Sequence, residues 1–193
     1  MSDTSNHESI TEAIPYQLGE YLVDTIEDLK EYYDEWPQSN ETLDMPCVSV
    51  ITLNPEFRPL MPYYLKPESG EITAHAANIK YVVGIYDIPI QLDIWARNKE
   101  ERDDLFDAVF NALNPNISPM GLVLALEEYH NQLCDIVMTG HEHGDSQERS
   151  ERDEWRTTLK LLATCKAVRI RKDFVIEDTE ITVETLNTSE PFE

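Results

Sequence analysis

A chain of 193 residues with 41% hydrophobic side chains is long enough to bury one generous core and too short for two full domains. Its 15 basic and 38 acidic residues leave a formal net charge of -23, a field that repels nucleic-acid phosphates. That excludes a tight or sequence-specific DNA binder, though not a protein that DNA slides past.

No apolar run approaches the 18 residues of a membrane helix, and the start Met1-Ser2-Asp3-Thr4 lacks the basic-then-apolar order of a signal peptide. The expectation is an untargeted soluble protein. Cys47, Cys134 and Cys165 are far apart in sequence with no CxxC spacing, which reads as buried thiols in a reducing compartment.

Residues 1–45 hold twelve acidic residues against the single Lys30. Residues 1–14 read as a flexible acidic arm. From Pro15 onward, Leu18, Leu22, Ile26, Leu29 and Tyr33 recur at spacings of three and four, so the pattern predicts an amphipathic helix running to Trp36 and closed by Pro37. Its other face, with Glu20, Asp24, Glu27 and Glu31, would be a nearly unbroken acidic surface. The plain reading is a solvated face; the sharper one is a surface that keeps anions away or meets a basic partner.

Residues 47–53 alternate and are rich in branched side chains, which predicts a strand. Pro55, Pro59, Pro62 and Pro67 make residues 54–67 an extended segment or loop. A strand from about Ile79 to Tyr86, a tight step at Asp87-Ile88-Pro89 and a second strand over residues 90–96 follow. In the second strand Leu92, Ile94 and Ala96 face the core, while Gln91, Asp93 and Trp95 face a semi-exposed side. Asn98-x-x-Glu101 is a capping-box variant, and Leu105, Phe106, Val109, Phe110 and Leu113 form the stripe of a helix that ends at Asn114-Pro115.

The run at residues 122–126 fits a strand or a helix. Residues 133–139 and 155–164 read as strands joined by a long charged loop over residues 141–154, which includes Glu142, Asp145 and Glu148. Lys166, Arg169, Arg171 and Lys172 form the one basic cluster, suited to an acidic protein surface such as the first helix of a neighbouring copy. Residues 177–193 are an acidic C-terminal tail.

Chemistry-bearing motifs are scarce. His141-Glu142-His143 could offer two imidazoles to a metal, but zinc catalysis needs a third ligand and an open position that nothing in the sequence fixes. Asp93 beside Trp95 fits a packing surface better than a catalytic carboxylate. With six glycines in all and no phosphate-loop, hydrolase or zincin motif, the residues point to no catalytic site, no metal and no cofactor.

The strand Gln91-Leu92-Asp93-Ile94-Trp95-Ala96-Arg97-Asn98, the helix opening Glu100-Glu101-Arg102-Asp103-Asp104-Leu105 and the polar loop before Trp155 follow an N-terminal helix, a strand and a Pro-rich passage. This order resembles the tail-terminator and tail-completion (head-to-tail joining) proteins of tailed bacteriophages, over residues 18–170. The resemblance implies an α+β domain spanning residues 15–176, with a mainly antiparallel, mixed sheet, amphipathic helices packed on it and a long hairpin loop.

It also implies a non-enzymatic virion protein of the neck, assembled in the host cytoplasm as a ring, expected to be a hexamer. Such a ring caps the tail tube and docks to the head connector, with DNA passing without specific binding and no membrane involved. Subunit or lumen contacts are expected at Glu20, Asp24, Glu27, Glu31, Glu142, Asp145, Glu148, Lys166, Arg169, Arg171 and Lys172. Two other classes compete: an acidic DNA mimic that occupies the basic cleft of a nucleic-acid enzyme, and a small metal enzyme using His141 and His143.

Overall fold

A computed structural model describes residues 9–37, 43–65, 72–73, 76–115, 121–126, 132–144 and 155–173. The fold is α+β: among the described residues, two helices pack on one mixed sheet. In chain order the elements are α1 (Ile10–Thr25), β1 (Glu31–Tyr33), β2 (Cys47–Thr52), β3 (Glu56–Leu65), β4 (Ile72–Thr73), β5 (Ala76–Ala96), α2 (Lys99–Leu113), β6 (Leu122–Leu126), β7 (Gln132–Gly144) and β8 (Trp155–Asp173). The strand order is β1-β2-β5-β8-β7-β6, with β3 and β4 also paired to β5. Among the described strands only β1 with β2 is parallel; every other pairing is antiparallel.

The first helix starts earlier and ends earlier than its periodicity predicts. Ser9 opens it, its backbone N–H donating to Glu12 Oε2 at 3.3 Å, and Ile10, Ala13 and Ile14 are buried. Residues 10–14 therefore belong to the core and not to an arm. Pro15 lies inside the helix and has no N–H for the carbonyl of Thr11, four residues back. The Thr52 hydroxyl of β2 donates to that carbonyl at 2.9 Å, so a tertiary bond replaces the missing helical one.

The helix stops at Thr25 because Ile26 turns extended, φ -109° and ψ 105°. Ile26 and Leu29 stay buried, and Tyr32-Tyr33 pair with Val48-Ser49 in the sheet. The 3.6-residue spacing persisted past the real end because the turn also directs apolar residues at the core. Adjacent aromatics favour a strand there.

β5 is one strand of 21 residues, with no break at 87–89. Pro89 is tolerated because its flank changes partner there: β2 ends at Thr52↔Ile90 and β3 takes over at Glu56↔Asp87. The Pro89 carbonyl still accepts from Leu53 N–H at 2.8 Å. Residues 56–65 form a strand despite their prolines, since β3 is paired to β5 on one side and its register shifts between Pro59 and Tyr63. β6 is a strand with strict in-out alternation, and β7 continues through His141 to Gly144, so that part of the expected loop is sheet.

α2 matches its predicted boundaries. The Asn98 side chain accepts from Glu101 N–H at 2.9 Å, and Glu101 Oε2 accepts from Arg97 N–H at 2.7 Å, one residue before the cap. Leu105, Val109 and Leu113 press onto the face of the sheet built by Ile90, Leu92, Ile94, Leu159 and Leu161. α1 touches both β2 and β6, which stand four strands apart in the sheet, so one face of the sheet wraps both helices. Each fully buried Leu or Ile in this cluster contributes roughly 1.5–3 kcal/mol.

The helices are 16 and 15 residues long, about 24 Å. β5 has a contour of about 70 Å. Its last nine residues, 88–96, lie under the helices; residues 76–87, with β3 and the end of β8, run on beyond them as an extension.

Candidate interaction surface

No cluster among the described residues has the makings of a metal centre, since no group of three or more His, Cys, Asp or Glu could hold an ion. His141 and His143 lie on the helix face of β7 and pack with Phe106 of α2, ring centroids 5.1 and 5.3 Å away. His143 Nδ1 shares a 2.9 Å hydrogen bond with Thr157 Oγ1. The pair therefore docks α2 on the sheet.

Asp93 and Trp95 face away from the helices but are buried, not semi-exposed. Thr158 Oγ1 donates to Asp93 Oδ1, Gln91 Nε2 donates to Oδ2 at 3.1 Å, and Trp95 Nε1 donates to Ser49 Oγ at 3.1 Å. Arg156 stacks over the Trp95 ring at 5.5 Å. Neighbouring strands supply partners across each row, which strip analysis of one strand cannot show.

The acidic residues predicted on one helix fall on three elements. Glu20 and Asp24 are exposed on α1, Glu27 lies in the turn beyond it, and Glu31 opens β1. Glu20 and Asp34 act on one group: burial first, then these two carboxylates, raise the Tyr32 phenol above its ordinary value. α2 adds Glu100, Asp103 and Asp104 at its start. Between the turn that follows α1 and the first half of α2 lies a groove of about 480 Å³, lined by Ile26, Leu105 and Ala108, by the acidic Asp28, Glu100 and Asp104, and by Lys30 and Arg97. The nearby cations are engaged: Lys30 pairs with Asp44 at 2.9 Å and Arg97 with Glu101 at 3.8 Å.

Glu142 is not a free loop carboxylate. It sits in β7 opposite Thr158, and Lys160 bonds it and holds its carboxyl below the usual range. Asp145 and Glu148 lie outside the described residues.

The basic cluster is the outer end of β8. Lys166 and Arg169 are exposed, opposite Ile85 and Tyr81, while Arg171 and Lys172 occupy the register positions opposite Ile79 and Asn78. Taken together, β3, residues 76–87 and residues 164–173 contain six basic and three acidic residues. Nine basic and thirty-five acidic residues remain for the rest of the chain. The sequence shows the basic run but not the apolar residues two strands away on β3, Phe57, Leu60, Met61 and Tyr63, all exposed, with Met61 at 91%. Their signal was present, as apolar residues between prolines with no polar alternation, and was masked by reading the stretch as a loop.

No family model matches this chain, and no curated protein matches it.

Proposed function

We propose that this chain is a structural protein of a tailed-phage particle, closing into a ring at the head–tail junction that caps the tail tube and joins it to the head connector. The observation that carries the reading is the segregation of charge along one molecule: a basic, apolar extension at one end of β5 and a strongly acidic body at the other. A ring built by head-to-tail contacts needs two unlike patches on each copy. An acidic channel suits the passage of DNA, because carboxylates repel the duplex where Lys or Arg would hold it. The Gln91–Ala96 strand running into an Asn98-capped, acid-started helix agrees with the resemblance to head-to-tail joining proteins.

Native mass spectrometry and negative-stain microscopy of the purified chain, with and without isolated tail tubes, test this. Rings, or recovery of the chain with tailed particles, are the expected result. A monomer that blocks a nuclease by occupying its DNA cleft would refute it and support the DNA-mimic reading. For the channel, reversing Glu20, Asp24 and Glu27 to Lys in particles is expected to impede DNA ejection. Unchanged ejection would remove those residues from the lumen.

A further inference from the structure

We infer that the extension of one copy seats in the groove between the 26–30 turn and α2 of the next, and that this one contact, repeated, builds the assembly. The inference rests on the ring-forming reading above. The extension presents Phe57, Leu60 and Met61, all exposed, on β3, and the exposed Lys166 and Arg169 on β8, the two strands separated by β5. Exposed large apolar side chains gathered on one strand beside positive charge suit an interaction surface. The groove has the complementary chemistry: an apolar floor of Ile26, Leu105 and Ala108 and a rim of Asp28, Glu100 and Asp104, all three exposed.

Geometry decides between contacts within and between copies. The groove lies where β5 runs into α2, beside Arg97 and Asn98, whereas the extension lies toward the opposite end of the same strand. From Val82 to Arg97 the strand contour is about 50 Å, so extension and groove stand toward opposite ends of one strand and the contact is placed between copies. A reciprocal two-fold contact would seat each extension in the other copy's groove and stop at a pair; the same contact made head to tail is heterologous and generates rings, and the ring reading above selects it. Pro59 and Pro62 deny β3 two backbone donors, so the contact is made by side chains and not by strand addition.

The test uses the full chain in two charge-swapped forms: Lys166→Glu with Arg169→Glu, and Asp28→Lys with Asp104→Lys. All four sites are exposed, and circular dichroism and thermal melting confirm that each form folds. Each form alone is expected to self-associate at least roughly a hundredfold more weakly than the native chain in sedimentation. An equimolar mixture is expected to recover association, since each extension then finds a groove of opposite charge. A photo-crosslinker at Met61 should join to residues of the groove between the 26–30 turn and α2 of another copy.

Swapped forms that assemble like the native chain, or a mixture that fails to recover, overturn this contact while leaving a ring built through another surface intact. A native chain that remains monomeric to about 1 mM and gives no crosslink also overturns it. Recovery of the chain from tailed particles would still stand for the ring reading in that event.

Discussion

Replacing Thr52 by Val removes one hydroxyl at nearly constant shape, and its effect follows from Pro15. The proline leaves the Thr11 carbonyl without its helical donor, and the Thr52 hydroxyl fills the vacancy at 2.9 Å. Pro15 is buried and Thr52 half-buried, so water is a poor substitute. Thr52→Val should cost about 1–2 kcal/mol, a lost hydrogen bond plus part of the desolvation of an orphaned carbonyl. Pro15→Ala restores an N–H four residues after Thr11. In that background the same Thr52→Val change should cost less than about 0.5 kcal/mol. Urea unfolding of the four proteins measures the coupling, and the cycle cancels the apolar area that Pro15→Ala removes. An equal cost of Thr52→Val in both backgrounds would refute the account of how this helix carries an internal proline.

Gly19→Ala tests the seat of β1. An added Cβ would stand 2.2 Å from Tyr32 Cδ2, so a change that favours an isolated helix should instead lower stability by about 1–3 kcal/mol in thermal unfolding. A stabilised variant would show that Tyr32 yields freely. Arg58, paired with Asp87 at 2.6 Å, holds that carboxyl below the usual carboxylate range, with Thr164 assisting against the opposing effect of burial. A depressed carboxylate stabilises above its unfolded value of about 3.9 and loses that contribution as pH falls through the lower folded value. The stability gap between the native chain and Arg58→Gln should therefore be constant at neutral pH and close below about pH 4; a gap unchanged in acid would exclude the pair as its source. Cys134 faces Cys165 across β7 and β8, and the shared thiol hydrogen bond, with burial, pushes the Cys134 thiol far up. Neither cysteine should react with iodoacetamide in the native protein, and both should react in denaturant.

What the sequence disclosed and what it concealed divide along physical lines. α2 was legible to the residue because its cap, stripe and stop are local: Asn98, Leu105-Val109 and Asn114 each act within a few positions. β2 and the second half of β5 were legible from alternation, whereas β6 was left open between strand and helix because a short apolar run fits either. The end of α1 was not, since Ile26 and Leu29 reach the same core from a turn that Leu22 reaches from a helix. The fate of Pro89 and of β3 depended on which strand lies alongside, a fact held tens of residues away. The pairing of Cys134 with Cys165 was hidden for the same reason. Of the candidate residues, Lys166 and Arg169 stood out as a run, whereas Phe57 and Met61 join them only through the β3–β5–β8 pairings.

Net charge sets a final condition on any assembly of this chain. Copies carrying -23 each repel one another over the whole surface, and that repulsion acts at long range through water. The contact between extension and groove is short-ranged and partly shielded by Leu60 and Met61. Salt screens the first before the second, because the Debye length falls from about 30 Å at 0.01 M to about 8 Å at 0.15 M. Self-association should therefore strengthen between these two concentrations and weaken again toward about 1 M, where even close pairs are screened. An acidic inhibitor in a basic cleft behaves differently: long-range and contact terms then share one sign, and binding falls steadily with salt. Sedimentation across this range separates the two, and a monotonic loss of self-association from the lowest salt upward would contradict an assembly of like-charged copies held by one local contact of opposite charge.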